Sequence, residues 1–148
     1  MILLDTNILG RIAKPTDPMI PVVKAAIHSL RATGEEFCMV PQNLYEFWAI
    51  ATRPPKANGL GLSIVDTQSE IARFKTMFRL IPGPPTLLTE WEALVGTHAC
   101  HGRVSFDARL VASMYALGIP AILTINVKDF VRFPGIMILD PRTVANTP

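Results

Sequence analysis

Four short apolar runs alternate along the chain with longer segments whose apolar residues recur at helical spacing. Such runs predict buried strands, because a strand of a parallel sheet is covered on both faces and is apolar throughout. They cover residues 1–4, 37–40, 121–125 and 136–139. A fifth, shorter strand is expected at 80–81, just before a proline-rich turn.

The segments between these runs predict helices that end near Pro or Gly. They cover residues 7–13, 20–30, 42–52, a stretch beginning at Asp66, 86–98 and 105–117. Asp66 and Ser105 are expected to cap their helices, and Gly118 to end the last one. Residues 54–65 contain two prolines and two glycines and predict a long loop.

Strands separated by helices indicate a parallel sheet with helices on both faces. We therefore predict a three-layer α/β/α domain with a central parallel sheet of four to five strands. The length of 148 residues, with 49% hydrophobic and 18% charged residues, is typical of one compact domain covering 1–148.

Charge and cysteine content narrow the function only slightly. The formal charge of +2 permits a nucleic-acid partner without requiring one. The two cysteines are too few for a disulfide framework, and Cys38 lies in an apolar run that predicts a core position. Neither a leader sequence nor a membrane span is recognisable, which favours a cytoplasmic protein without membrane contact.

His98, Cys100 and His101 suggest a zinc site, since the two histidines are three residues apart and can share a helix face. The remaining candidates, Cys38 and His28, do not supply the paired spacing that zinc sites usually have. A helix end is therefore the preferred interpretation of this segment.

Four acidic residues next to apolar segments are the candidates for a functional site. Asp5 follows the first strand, Glu46 lies early in the helix after the second, Asp107 is in the first turn of the helix at 105–117, and Asp129 follows the strand at 121–125. The carboxyl ends of parallel strands meet at one edge of a sheet, where functional groups gather. Converging carboxylates repel one another, and a bound hard divalent cation would neutralise this repulsion.

Each acid also has a simpler explanation. Asp5 could cap the following helix, Asp107 could offset a helix dipole, and Asp129 could be a turn residue. Glu46 is harder to explain in this way, because its neighbours are almost all apolar. The joint arrangement of the four acids favours a shared site.

These motifs together resemble the PIN domain family of metal-dependent ribonucleases, in particular the VapC-like toxins of bacterial toxin–antitoxin pairs. The resemblance covers nearly the whole chain and rests on the order and spacing of the motifs. They are Asp5-Thr6-Asn7 after the first strand, Glu46, the segment Phe106-Asp107-Ala108-Arg109, the segment from Thr124 to Phe130, and the closing segment from Gly135 to Pro141.

The resemblance implies an acidic cage of Asp5, Glu46 and Asp107 holding one or two Mg²⁺ or Mn²⁺ ions. Many family members have an acid where this chain has Asn126, so Asp129 and Asn126 are both candidates for the fourth position. Thr6 is expected to orient Asp5 or a metal-bound water, and Thr124 to play a similar supporting role. A metal-activated water would then cleave RNA without a Ser, Cys or His nucleophile.

Partners follow from the same resemblance: an RNA substrate, a cognate antitoxin chain and a second copy in a homodimer. Six cations near the motifs are candidates for steering RNA: Arg53, Lys56, Arg103, Arg109, Lys128 and Arg132. Residues 20–30 and 71–78, together with Trp48, contain more apolar side chains than a small core requires. Any that are exposed would form the dimer face and an antitoxin groove.

Two other functions compete with the nuclease. A catalytically inactive PIN-like module for RNA or protein binding is the main alternative, although such a module has no physical reason to gather repelling carboxylates. A phosphatase or nucleotide-binding protein fits less well, because the chain has no Gly-rich phosphate loop and has Asn7, not a second Asp, two residues after Asp5.

Overall fold

The computed structural model describes residues 1–145 and contains one five-stranded parallel sheet. Within these residues the strands are β1 (Ile2–Leu4), β2 (Phe37–Met39), β3 (Arg79–Leu80), β4 (Ala121–Leu123) and β5 (Met137–Leu139), in the spatial order β3-β2-β1-β4-β5. The helices are α1 (Thr6–Ile12), α2 (Ile20–Ala32), α3 (Pro41–Thr52), α4 (Ile64–Met77), α5 (Leu87–Thr97), α6 (Val104–Leu117), α7 (Val127–Phe130) and α8 (Pro141–Val144), with a 3₁₀ turn at Pro55–Ala57.

Alternate residues of each central strand enter different halves of the core, as the period of two dictates. In β1, Ile2 and Leu4 pack in a cluster with residues of α1, α2, α3 and α4. Leu3, between them, packs on the opposite face with residues of α5 and α6. In β2, Cys38 shares the second face while its neighbours take the first. The predicted three-layer architecture is therefore confirmed.

The strand order places a topological switch point between β1 and β4. The chain begins at β1 in the centre of the sheet, extends through β2 to β3 on one side, and returns through β4 to β5 on the other. Ligand sites of open parallel sheets lie beyond the carboxyl ends of strands at such a point. Leu4 and Leu123 are partners in register, so Asp5 and Thr124 leave the sheet side by side at this edge.

Two predicted helix caps are wrong. Helix α4 begins at Ile64 with Ser63 as its cap, and the Ser63 hydroxyl accepts the Asp66 main-chain N–H at 3.0 Å. Helix α6 begins at Val104, so Ser105 lies inside its first turn and donates its hydroxyl to the Gly102 carbonyl. The predicted end of α6 is confirmed, because Gly118 takes the left-handed conformation at φ 64°.

Most of the apolar surplus belongs to the core. In α2, Val23, Ala26 and Ile27 are buried, and Phe74 and Phe78 are buried at the other end of the same cluster. Met77 of the segment 71–78 is exposed, and the other large exposed apolar side chains of the described residues lie outside these segments, with Tyr45, Leu88 and Phe106 as examples. None of the described helices combines the length and the apolar character needed to cross a bilayer.

Candidate active site

Asp5 is a buried carboxylate held by polar neighbours at the switch point. Its side chain is 7% exposed. Its Oδ2 accepts the Thr124 hydroxyl at 2.6 Å and the Asn7 amide at 2.7 Å. Although Asp5 occupies the cap position of α1, its side chain makes no cap hydrogen bond, so capping does not explain the residue. Burial raises the pKa of Asp5 to about 6, and the charge of Glu46 acts in the same direction.

Glu46, in the second turn of α3, faces Asp5 from the other side of Thr6. The Thr6 hydroxyl, expected to orient Asp5 or a metal-bound water, donates to Glu46 Oε2 at 2.7 Å. Gln42, one helical turn earlier, donates its amide to Glu46 Oε1 at 2.6 Å. Both oxygens of the half-buried carboxylate are therefore bound, which fixes its orientation.

A second layer of polar side chains holds these residues in place. Asn43 is fully buried, accepts the Val40 main-chain N–H and donates its amide to the Leu4 carbonyl at 2.9 Å. The same amide reaches Thr6 Oγ1 at 3.3 Å, so α3 is tied to the end of β1. Arg109 of α6 donates to Gln42 Oε1 at 3.1 Å and so connects a third element to Glu46.

Asp107, in the first turn of α6, has no hydrogen-bond or ion-pair partner among residues 1–145. It is half-buried, and burial is the largest cause that raises its pKa, to about 7. Repulsion from Asp129, Asp5 and Glu46 raises the pKa further, while Arg103 lowers it. The other three acids therefore all act electrostatically on Asp107, and such perturbation is typical of functional sites.

Three of the four acids open onto one cavity of about 500 Å³, and Asp5 is not among its described lining residues. Glu46, Asp107, Asn126 and Asp129 line it, together with Arg53, Arg103 and Phe106. Asp129 and Asn126 are both exposed at its mouth, so the two candidates for the fourth position border the same space. The Asn126 main-chain N–H donates to Thr124 Oγ1 at 2.9 Å, which links this segment to Asp5.

The hard carboxylate oxygens of these acids fit a divalent cation such as Mg²⁺ in their chemistry. In the described part of the chain no three Asp, Glu, His or Cys side chains are grouped so that they could hold one ion. This also applies to His98, Cys100 and His101, for which zinc was considered. The His98 ring packs edge-to-face on Phe133, 5.2 Å away between centroids.

The candidate cations are distributed unevenly around the site. Arg53 and Arg103 line the acidic cavity, and Lys128 lines a neighbouring one. Arg109 lies behind the cavity, bound to Gln42. Lys56 and Arg132 are exposed on the surface.

Three residues of the site were not predicted from the sequence: Asn7, Gln42 and Asn43. The role of Gln42 could have been predicted from its spacing, because residues four apart on a helix lie on the same face and Gln42 precedes Glu46 by four. Asn43 had no comparable signal for its bond to Leu4, which lies 39 residues away. Asn7 has a local partner in Asp5, two residues away at 2.7 Å, and only its longer bond to Thr124 connects distant parts of the chain.

Comparison with solved structures identifies proteins that share this fold. VapBC2 from Rickettsia felis, bound to a DNA fragment from its promoter, matches with a TM-score of 0.69 and 17% identity over 95% of this chain and 98% of that chain. FitAcB from Neisseria gonorrhoeae matches with a TM-score of 0.66 and 17% identity over the same shares of the two chains. VapC20 from Mycobacterium tuberculosis, described as a sarcin-ricin loop cleaving toxin, matches with a TM-score of 0.60 and 21% identity over 82% and 87%.

At these identities the likeness shows a shared fold, and it confirms the fold that the motifs predicted. No protein-family model and no curated protein sequence matches the chain.

Proposed function

We propose that this chain is an endoribonuclease dependent on Mg²⁺ or Mn²⁺ and the toxin of a toxin–antitoxin pair. The observation that carries the proposal is Asp107, a half-buried carboxylate without a partner in residues 1–145, whose pKa is raised by three other acids. A carboxylate kept in this state has no structural benefit, and it fits a cation-binding role. The fold shared with VapC20, which is described as a sarcin-ricin loop cleaving toxin, supports the same function.

Asp5, Glu46 and Asp107 are the proposed metal ligands, with Asp129 preferred over Asn126 as the fourth. Asp129 is preferred because its charge is the largest electrostatic cause of the raised pKa of Asp107. A bound divalent cation would activate a water as nucleophile and neutralise charge that develops on the phosphate. In this proposal the number of ions, one or two, is open.

The other side chains orient the ligands. Thr6 and Gln42 each donate one hydrogen bond to Glu46, and Thr124 and Asn7 each donate one to Asp5. Such donors stabilise the charged form of a carboxylate and restrict its rotation. Asp107 and Asp129, whose side chains accept no hydrogen bond from the described residues, are therefore freer than Asp5 and Glu46 to respond to a cation and substrate.

The inactive-module alternative is favoured by one observation, the lack of a preassembled three-acid group in the described residues. Against it, burying Asp5 beside Glu46 destabilises the fold, as its raised pKa indicates. A binding module gains nothing from that cost, because carboxylates repel the phosphates of RNA. The nuclease function therefore explains more of the site.

For partners we propose an RNA substrate, a cognate antitoxin chain and a homodimer. The proposal of an antitoxin partner rests on the fold shared with VapBC2 and FitAcB. The proposal of an RNA substrate rests on the fold shared with VapC20. Such a toxin would meet its RNA in the cytoplasm, which is the location we propose.

The function is tested by incubating the purified chain with tRNA, rRNA fragments and mRNA, in Mg²⁺ or Mn²⁺ and in EDTA. We expect cleavage at defined positions that depends on the divalent ion. Folded protein that leaves every RNA intact in both metals would favour the inactive module. Cleavage that persists in EDTA would contradict the metal-dependent mechanism.

A further inference from the structure

A second cavity adjoins the acidic one and has the opposite charge. Its volume is about 260 Å³. Among the described residues that line it are four cations, Arg11, Lys14, Arg53 and Arg103, against one carboxylate, Asp17. Arg53 and Arg103 line both cavities, so the basic cavity begins where the acidic cavity ends.

The single carboxylate of this cavity is already engaged. Asp17 is buried, and its Oδ2 accepts Arg11 Nη1 at 2.6 Å while its Oδ1 accepts the Met19 main-chain N–H. Asp17 therefore neutralises Arg11. Lys14, Arg53 and Arg103 make no ion pair within residues 1–145. Lys14 and Arg103 act electrostatically on Asp17 and Asp107, but no described carboxylate holds any of the three cations at contact distance.

Arg53 is held in position by the loop that follows it. The main-chain N–H groups of Leu60, Gly61 and Leu62 donate to the carbonyls of Ile50, Arg53 and Ala51, at 2.8 to 3.0 Å. At Gly59 the loop comes so close that an added Cβ would lie 2.0 Å from the Arg53 carbonyl oxygen. The loop therefore fixes the end of α3 from which Arg53 extends.

The cavity on the other side of Asn126 and Asp129 has no such excess of positive charge. Its described lining includes two cations, Lys128 and Arg142, and two carboxylates, Asp129 and Asp140. Arg142 and Asp140 form a close ion pair at 2.6 Å. Of these two cavities in the described part of the chain, only the basic one therefore offers a polyanion net positive charge.

We infer that the basic cavity holds a backbone phosphate of single-stranded RNA next to the cleaved position, bound by Lys14, Arg53 and Arg103. This inference rests on the proposed function and adds to it the direction in which the strand runs. Four carboxylates around the reacting phosphate repel a polyanion, so affinity must come from cations beside them. The basic cavity is the neighbouring space that supplies such cations without competing carboxylates.

The test measures the affinity for a fluorescein-labelled oligouridine against salt concentration, in EDTA and in an Asp107→Asn background that does not cleave. Lys14→Ala, Arg53→Ala and Arg103→Ala should each weaken binding several-fold. Each should also lower the slope of log affinity against log salt by about 0.7, the value for one phosphate contact on a single strand. Lys75→Ala, an exposed lysine on α4 outside both cavities, should leave the slope unchanged. Lys128→Ala, in the balanced cavity, should lower the slope less than Lys14→Ala does.

The inference is overturned if Lys128→Ala lowers the slope as much as Lys14→Ala does, if the three cavity variants behave like Lys75→Ala, or if the background protein does not bind the RNA. Thermal midpoints of the variants show whether each remains folded. Failure of the nuclease proposal gives a different result. In that case the parent chain cleaves no RNA with Mg²⁺ or Mn²⁺, while the changes in slope persist.

Discussion

Asp107→Asn is expected to slow metal-dependent RNA cleavage by at least about a hundredfold while leaving the fold intact. The amide has nearly the same shape as the carboxylate but no negative charge to offer a cation. It also removes the repulsion among Asp107, Asp129, Asp5 and Glu46 that raises the pKa of Asp107. The variant should therefore be at least as stable as the parent and yet inactive. Initial rates on one cleaved RNA, with thermal midpoints, measure both effects.

Asp66→Asn is the matched control for this substitution. Asp66, like Asp107, is in the first turn of its helix, but it is exposed and bonded to Ser63. If Asp107 only offset a helix dipole, the two variants would have equal, small effects. We expect the rate of Asp66→Asn to stay within about twofold of the parent, because its charge lies outside the acidic cavity and solvent screens it. Equal activity of the two variants would refute the catalytic role of Asp107.

Asp5→Asn is expected to stabilise the metal-free protein increasingly as pH rises. The pKa of Asp5 in the folded chain, about 6, lies above its ordinary value of 3.8, so the folded state binds this proton more tightly than the unfolded state does. The free energy of unfolding therefore falls between about pH 4 and pH 7 as Asp5 ionises. At about pH 8 the full difference, on the order of 2 to 3 kcal/mol, should separate the variant from the parent.

Thermal unfolding in EDTA measures this difference. For a chain of this length it corresponds to a midpoint about 5 to 10 °C higher for Asp5→Asn at about pH 8, and nearly equal midpoints at about pH 4. Comparing the two proteins at each pH cancels the contributions of Asp17 and Asp140, whose pKa values are lowered by arginine neighbours. A midpoint for Asp5→Asn below that of the parent at high pH would show that Asp5 stabilises the fold, contrary to this account.

The strands and the architecture were predictable because each central strand is short, apolar and bounded by polar residues. Helix starts were less predictable, since several residues near a boundary can cap. Asp66 and Ser105 are both good cap residues by type, yet Ser63 caps α4 and α6 begins one residue before Ser105. Those outcomes depend on where tertiary packing lets the first turn begin.

The four acids could be assigned to one edge of the sheet because the ends of parallel strands converge there. The hydrogen bonds that orient them could not be assigned. Thr124 and Asp5 are 119 residues apart, and Thr6 and Glu46 are 40 apart, so no local pattern shows which hydroxyl serves which carboxylate. The distances between the acids could not be predicted for the same reason: convergence at an edge sets the neighbourhood of the side chains but not their separation.

Calorimetric titration of the metal-free chain with Mn²⁺ at about pH 7, in two buffers of different ionisation heat, tests most directly whether the four acids form one cation site. The account predicts saturable binding with release of protons, because Asp5 and Asp107 have pKa values of about 6 and about 7. Binding should be lost in Asp107→Asn and kept in Asp66→Asn. A folded parent chain that binds no Mn²⁺, or an Asp107→Asn variant that binds it as the parent does, would contradict the account.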